Sequence, residues 1–164
     1  MIYKICDHIT QQTLDSIIEV YNSLEKTDEL IIYLNSSGGD YNAMEAILDL
    51  INNNKEITTL IGYGCLFSSA FELFFSVTCK KRLIGGCTGM YHQSVIDITV
   101  NEQWKTEFQS DKSKKLYMMG YMHSKTLETC NRLKMSDSEI KSIKNGKDLY
   151  FDPIRMHNFL VVYE

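Results

Sequence analysis

Apolar side chains recur at helical spacing in the first half of the chain. The spacing predicts an amphipathic helix over residues 11 to 25, with Thr10 as its N-cap, and a second helix that ends at the asparagines 52 to 54. A short buried helix is predicted over residues 68 to 77. The first stripe consists of Leu14, Ile17, Ile18, Tyr21 and Leu24, and the second of Ala43, Met44, Ile47, Leu48 and Ile51.

Short apolar runs lie between these helices and predict strands. An edge strand is expected over residues 2 to 6, and further strands over 29 to 34, 57 to 61, 82 to 84 and 89 to 92. Short strands that alternate with helices favour parallel pairing, because a parallel connection has room for a crossover helix. The pattern therefore predicts an α/β fold built from repeated strand–helix units.

The second half of the chain is more helical. Residues 101 to 133 predict one long helix or two helices in series, and Ser136 is the expected N-cap of a further helix that Gly146 ends. An extended piece over residues 148 to 151, a helical turn and a last strand in "FLVVY" complete the pattern.

Composition narrows the classes of protein. A length of 164 residues predicts a single domain over residues 1–164, and the formal net charge of -4 argues against nucleic-acid binding. The sequence shows no signal peptide and no apolar stretch long enough to span a membrane, which predicts a cytoplasmic protein. Five cysteines without a CxxC pair fit reduced thiols, and the sequence predicts neither a metal site nor a cofactor.

The segment "LNSSGGD", residues 34 to 40, joins a predicted strand to a predicted helix. Two adjacent glycines at a helix start suggest close approach to the backbone, where amide groups are available to an anion. The segment lacks the ending of a P-loop and the spacing of a dinucleotide fold. A developing oxyanion is therefore the functional interpretation, and a plain glycine-rich turn is the alternative.

A candidate nucleophile and a candidate base follow downstream. In "IGYGCLFSSAFELFF" Ser68 lies where a strand meets a helix, so its hydroxyl can be exposed while the Ser69 amide points the same way. A serine is a poor nucleophile without a base, and His92 in "GMYHQS" lies at the end of a strand-like piece. The alternatives are that Ser68 only caps a helix and that His92 is structural.

Three segments together resemble the Clp protease proteolytic subunit (ClpP) family. "LNSSGGD" resembles the family's Asn-Ser-Pro-Gly-Gly segment, "GYGCLFSSAFEL" its nucleophile segment with Ser68 at the serine, and "GMYHQS" its histidine segment with His92 at the histidine. The resemblance covers about residues 2 to 94. Within the family, the chain resembles a divergent, compact, phage-like member. It implies a ClpP/crotonase-like spiral with a protruding handle helix, and its candidate interface residues are Tyr117, Met118, Met119 and Tyr121.

The resemblance implies a serine endopeptidase that acts on polypeptides. Ser68 would attack the peptide carbonyl and His92 would act as the base, while the Gly39 and Ser69 amides would hold the oxyanion. We expect glycine at position 39 to let the substrate carbonyl approach. Gly38 would keep the turn tight beside an extended peptide that binds as an added strand.

The third member of the triad depends on how the C-terminal part is aligned. One alignment puts Arg132 at the family's aspartate, and an arginine cannot orient an imidazole. The other puts Asp148 there, four residues before Asp152 and just after a helix stop. Asp148 is therefore the chosen residue, and Asp152, Asp137 and Asp97 are the alternatives.

Several positions depart from the family's pattern. Ser37 replaces a proline, Leu66 and Phe67 replace two alanines, Ala70 replaces a glycine, and Glu72 lies in an apolar helix. The chain starts at the family's first core strand, which weakens the case for an AAA+ unfoldase partner. We expect a homo-oligomeric ring, and the rival interpretations are a catalytically inactive ring subunit of the same fold and a crotonase-type acyl-CoA enzyme.

Overall fold

A computed structural model of the chain describes residues 1–25, 27–93 and 112–161. The chain divides into two compact units, Met1–Tyr91 with Leu149–Glu164 and His92–Asp148. The single domain expected from the chain length stays a prediction.

The first unit contains a six-stranded sheet. Its strands are β1 (Ile2–Ile5), β2 (Leu30–Ser36), β3 (Thr58–Phe67), β4 (Lys80–Leu83), β5 (Thr88–Tyr91) and β6 (Leu149–Phe151). The main order is β1-β2-β3-β5-β6, and β4 pairs with the first half of β3. All pairs are parallel except the antiparallel pair β5–β6. The predicted strand–helix alternation with parallel pairing is thereby confirmed.

The first unit contains four helices, and side chains cap the start of three of them. They are α1 (Gln11–Asn22), α2 (Tyr41–Asn53), α3 (Ser69–Ser76) and, after β6, α6 (Pro153–Val161). Thr10 caps α1 in a capping box with Thr13, as the sequence predicts for Thr10. The Asp40 carboxylate accepts hydrogen bonds from the first amides of α2. The glycine-rich segment therefore ends directly in a helix cap.

The core of the first unit lies on one face of the sheet. Along β2, Leu30, Ile32 and Leu34 are fully buried, whereas the alternate residues are half-buried. An aromatic cluster fills the space beneath β5 and β6, with Phe71 of α3 stacked on Tyr91 at 5.1 Å between ring centroids. The other members of this cluster are Phe74, Phe75, Phe151 and Phe159. This packing fixes α3 and α6 against the strands that lead to the candidate site.

The second unit contains the helices α4 (Lys112–Arg132) and α5 (Asp137–Lys144). Ser136 caps α5 in a capping box with Glu139, and Gly146 follows the helix at φ +74°, as expected. Helix α4 accounts for most of the predicted helical segment 101 to 133, while residues 94–111 lie outside the described residues. Within the described ranges, no helix is long and apolar enough to cross a membrane.

Two element predictions are wrong in detail. Strand β3 continues to Phe67 instead of ending at residue 61, because Gly64 adopts φ +63° and the Asn35 amide oxygen accepts a hydrogen bond from Cys65 N beyond the irregularity. The predicted last strand is helical as far as Val161, and residues 162–164 lie outside the described part. The Asp152 carboxylate caps this helix, and burial of Met156 and Phe159 outweighs the β-like composition of "FLVV".

Candidate active site

The segment between β2 and α2 is held by side chains of its own. Ser36 is buried, and its hydroxyl donates to the Asp7 carbonyl at 2.6 Å and accepts from the Gly38 amide at 3.1 Å. Because the Gly38 N–H is used in this way, it faces into the turn. Ser37 is exposed, and its Oγ lies 3.2 Å from Nδ1 of His8. The two serines therefore have different surroundings, one internal and one at the surface.

Gly38 lies against the backbone that carries Ser68. A Cβ at position 38 would lie 2.7 Å from the Phe67 carbonyl oxygen and 2.8 Å from Cβ of Ser68, and the φ of Gly38 is +96°. Any larger residue would push the two segments apart. Glycine at position 38 thus permits close packing of the turn on the junction between β3 and α3.

Gly39 pairs with Ile9 in an isolated parallel bridge. The Ile9 amide donates to the Gly38 carbonyl at 2.9 Å, and the Asp40 amide donates to the Ile9 carbonyl at 2.8 Å. In a parallel bridge of this kind the amide and carbonyl of Gly39 itself face away from Ile9. Gly39 is exposed, so its N–H is available on that side.

The steric reason for glycine at position 39 differs from the expected one. A Cβ there would meet the backbone of Ile9, with the nitrogen at 2.8 Å and the carbonyl oxygen closer still, and the φ of Gly39 is +147°. The chain's own backbone therefore excludes a side chain at this position. The glycine is therefore needed even in the absence of any ligand.

Ser68 occupies the strained corner between β3 and α3. Its φ of 54° and ψ of -123° lie in a region that residues with a side chain rarely adopt. Its side chain makes no capping hydrogen bond to α3, although Ser68 is the N-cap residue. The interpretation of Ser68 as a simple helix cap is therefore wrong. The Ser68 amide donates to the Met90 carbonyl at 2.8 Å, which ties the corner to β5.

Ser69 is the first residue of α3 and is 5% exposed. Its hydroxyl donates to the Gly39 carbonyl at 3.3 Å. The two residues that the sequence assigns to an oxyanion hole are therefore in contact through this side chain. The sequence gives no signal for this side-chain contact, because Gly39 lies thirty positions earlier in the chain.

His92 and Asp148 meet in the second unit. Nδ1 of His92 lies 3.3 Å from Oδ1 of Asp148, and the two side chains are 28% and 47% exposed. The β5–β6 register accounts for this contact: Met90 faces Tyr150 and Tyr91 faces Leu149, so one further step brings His92 opposite Asp148. Since Nδ1 makes this contact, Nε2 is the ring nitrogen that faces away from Asp148.

The alternative aspartates have other surroundings. Asp152 caps α6 by accepting a hydrogen bond from the Arg155 amide at 2.8 Å. Asp137 is the first residue of α5, and Asp97 lies outside the described residues. Arg132, which the rejected alignment would place in the triad, is the last residue of α4. Asp148 is the aspartate for which a contact with His92 is observed in the described ranges.

The bulky residues before Ser68 have two different environments. Leu66 is fully buried and belongs to the core, whereas Phe67 is half-buried and packs edge-on against Tyr150 at 6.0 Å between centroids. Glu72, one turn into α3, is 4% exposed and accepts a hydrogen bond from the Tyr91 hydroxyl at 3.3 Å. A charged residue inside the apolar run "FELFF" was the signal for this buried contact, but its partner could not be read from the sequence.

Two buried cysteines are poor candidates for the nucleophile. Burial raises the pKa of the Cys87 thiol to about 11, with a further contribution from nearby Cys65, so Cys87 is protonated at neutral pH. Burial also raises the pKa of the Cys79 thiol. Across the residues that the structure describes, no group of three or more His, Cys, Asp or Glu side chains could hold a metal ion.

Comparison with known proteins places these features in a family. The sequence model of the Clp protease family matches residues 1–139, while no curated protein matches the chain. The fold is similar to that of the ClpP protease catalytic domain from Plasmodium falciparum, with a TM-score of 0.65 and 22% identity over 96% of this chain and 80% of that one. It is also similar to a ClpP1 mutant from Listeria monocytogenes, with a TM-score of 0.65 and 19% identity over 99% of this chain and 89% of that one. These structures share the ClpP fold, and the match over residues 1–139 shows that the chain belongs to the Clp protease family.

Proposed function

We propose that the chain is a serine endopeptidase that hydrolyses peptide bonds in polypeptides through Ser68, His92 and Asp148. Membership of the Clp protease family supports a peptidase over a crotonase-type acyl-CoA enzyme. The observation that carries the serine-type proposal is the 3.3 Å contact between Nδ1 of His92 and Oδ1 of Asp148. A carboxylate at Nδ1 holds an imidazole in the tautomer that presents Nε2 as a base.

The proposed reaction proceeds by acyl transfer in two halves. His92 Nε2 takes the proton of the Ser68 hydroxyl as Oγ attacks the substrate carbonyl carbon, and the imidazolium then protonates the leaving amine. Water, deprotonated by the same imidazole, hydrolyses the acyl-enzyme and restores Ser68. Asp148 stabilises the imidazolium while remaining ionised.

The oxyanion of each tetrahedral intermediate is assigned to the amides of Gly39 and Ser69. The bridge to Ile9 leaves the Gly39 N–H on the outer side of the turn, and the Ser69 N–H belongs to the first residue of α3, which has no partner within its helix. Gly38, whose own amide is bonded to Ser36, is assigned to the wall of the substrate groove. Fixed amide donors of this kind are typically worth about 10²–10³ each in rate.

Assembly into a homo-oligomeric ring is part of the proposal. Helix α4 carries large exposed side chains, with Tyr117 73% exposed, Met119 58% and Tyr121 40%, which would favour burial against another subunit. The side chain of Met118 lies outside the described residues. A handle role for α4, a cytoplasmic location and any AAA+ unfoldase partner are extensions of the same proposal and rest on the family.

A fluorophosphonate probe tests the proposal directly. We expect the assembled wild-type chain to hydrolyse a fluorogenic peptide and to be labelled on Ser68, as located by mass spectrometry of the digested protein. Ser68→Ala should lose labelling and lower kcat by a factor on the order of 10⁶. The mass of the assembly is measured for both proteins, so that loss of the ring is not mistaken for loss of the nucleophile.

Two results would contradict the proposal. A wild-type assembly that is neither labelled nor active would favour the inactive ring subunit. Labelling at another residue, or peptidase activity that survives Ser68→Ala, would mean that the nucleophile has been assigned wrongly.

A further inference from the structure

The two amides assigned to the oxyanion come from separate parts of the first unit. Gly39 lies in the turn between β2 and α2, and Ser69 lies at the start of α3, thirty positions later in the chain. An oxyanion hole works only if its donors are fixed before charge develops. Some contact must therefore hold the turn at a set distance from the helix start.

The Ser69 hydroxyl makes such a contact. It donates to the Gly39 carbonyl at 3.3 Å, and the side chain is almost fully buried, at 5% exposure. The carbonyl and the amide of Gly39 both face away from Ile9, because Ile9 takes the flanking carbonyl of Gly38 and the flanking amide of Asp40. The Ser69 hydroxyl therefore contacts Gly39 on the side that faces away from Ile9, which is also the side of the Gly39 N–H.

Gly38 packs closely against the start of α3, in the same place where the Ser69 hydroxyl contacts the turn. A Cβ on Gly38 would lie 3.1 Å from the Ser69 nitrogen, so the turn and the start of α3 are closer than a residue with a side chain would allow. Packing limits how near the two segments come, and the hydroxyl prevents them from separating. Together the two contacts leave little freedom in the spacing of the amides.

We propose that Ser69 is a positioning residue whose hydroxyl clamps Gly39 and so sets the spacing of the two oxyanion donors. This inference rests on the proposed serine peptidase function and adds a role for a side chain next to the nucleophile. The clamp acts on the positions of the two oxyanion donors. Its loss therefore reduces stabilisation of the transition state more than it reduces the affinity for substrate.

Two substitutions at position 69 separate the hydrogen bond from the packing. Ser69→Ala keeps the backbone amide and removes only Oγ, while Ser69→Cys refills the space with a poor donor. We expect both to lower kcat by about tenfold, a fraction of the loss for a whole donor, with KM unchanged. The affinity for a peptide boronate, which mimics the tetrahedral intermediate, should fall by the same factor.

A matched control removes the same kind of hydrogen bond elsewhere. The Ser23 hydroxyl at the end of α1 donates to the Val20 carbonyl at 2.7 Å. Ser23→Ala should leave kcat, KM and boronate affinity unchanged. All variants are compared by thermal unfolding, where we expect midpoints within about 3 °C of wild type.

The outcomes distinguish the clamp from the proposed function. A wild type that is labelled on Ser68, together with an unchanged kcat and boronate affinity in Ser69→Ala, would overturn the clamp alone. If Ser69→Cys has wild-type kinetics and Ser69→Ala has a defect, the effect is due to packing. This result would also overturn the clamp. An unlabelled, inactive wild-type assembly would remove the proposed function and this inference with it.

Discussion

The turn that carries Gly39 and the pair formed by His92 and Asp148 are built by different means. The turn is held mainly by backbone hydrogen bonds, because the backbone groups of Gly38 and Asp40 bond to Ile9. The buried Ser36 hydroxyl accepts a further hydrogen bond from the Gly38 amide. The pair is formed by a contact between two side chains that are 28% and 47% exposed. The fold therefore depends on the contacts of the turn, whereas it depends little on the contact between His92 and Asp148.

This difference teaches which substitutions should harm folding and which should harm only chemistry. A half-exposed contact between two polar side chains contributes little stability, because water competes for the same groups and the side chains lose entropy. Replacing a glycine in a crowded position with positive φ is costly, because a side chain does not fit there and disfavours the backbone conformation. Substitutions in the two regions should therefore separate stability from activity.

The largest effect is expected for Gly39→Ala. The new Cβ would overlap the Ile9 backbone at a φ of +147°, so the free energy of unfolding should fall by about 3–5 kcal/mol and peptidase activity should be lost. Chemical denaturation measures the first and peptide hydrolysis the second. Gly85→Ala is the matched control, since Gly85 has φ +63° with nothing within 4 Å, and it should cost only about 1 kcal/mol. Equal losses in the two variants would show that the bridge to Ile9 is unimportant.

A large effect on activity alone is expected for Asp148→Asn. The amide should favour the wrong imidazole tautomer and lower kcat by about 10⁴, while the free energy of unfolding changes by less than about 0.5 kcal/mol. Steady-state kinetics and denaturation on the same preparation give both values. Asp152→Asn is the control, because asparagine also caps helices and activity should persist. Wild-type activity in Asp148→Asn would exclude Asp148 from the triad.

The smallest effect on activity is expected beneath β5, where Tyr91 meets Glu72. Tyr91→Phe keeps the ring stacked on Phe71 but removes a donor from a buried carboxylate, which should cost about 1.5–3 kcal/mol of stability. Because this contact belongs to the scaffold, we expect kcat of the folded protein to stay close to wild type. Tyr21→Phe removes a hydroxyl that lies 2.8 Å from Thr58 Oγ1 and should cost less, about 0.5–1.5 kcal/mol. A large fall in kcat for Tyr91→Phe would move this contact from the scaffold to the site.

Local signals in the sequence predicted the parts of the fold that depend on local chemistry. The caps at Thr10 and Ser136 and the start of α3 after Ser68 follow from residue types at fixed spacing. The final helix was missed because "FLVV" has β-like composition, and its burial against the aromatic cluster is decided by distant residues.

The candidate site shows the same limit. The positions of Ser68 and His92 could be proposed from short motifs, and Asp148 from a resemblance in the last part of the chain. The roles of Asn35 and Ser36 could not, because they depend on a register shift between β2 and β3 and on contact with Asp7. The steric reason for Gly39 was likewise invisible, since Ile9 lies thirty positions earlier in the chain.

A crystal structure of the wild-type assembly inactivated by a peptidyl phosphonate tests the central claim most directly. The account predicts a covalent bond between Ser68 Oγ and phosphorus, with one phosphoryl oxygen about 2.7–3.1 Å from the amide nitrogens of both Gly39 and Ser69. His92 should lie between the adduct and Asp148. An adduct on another residue, or a phosphoryl oxygen that points away from these two amides, would contradict the account.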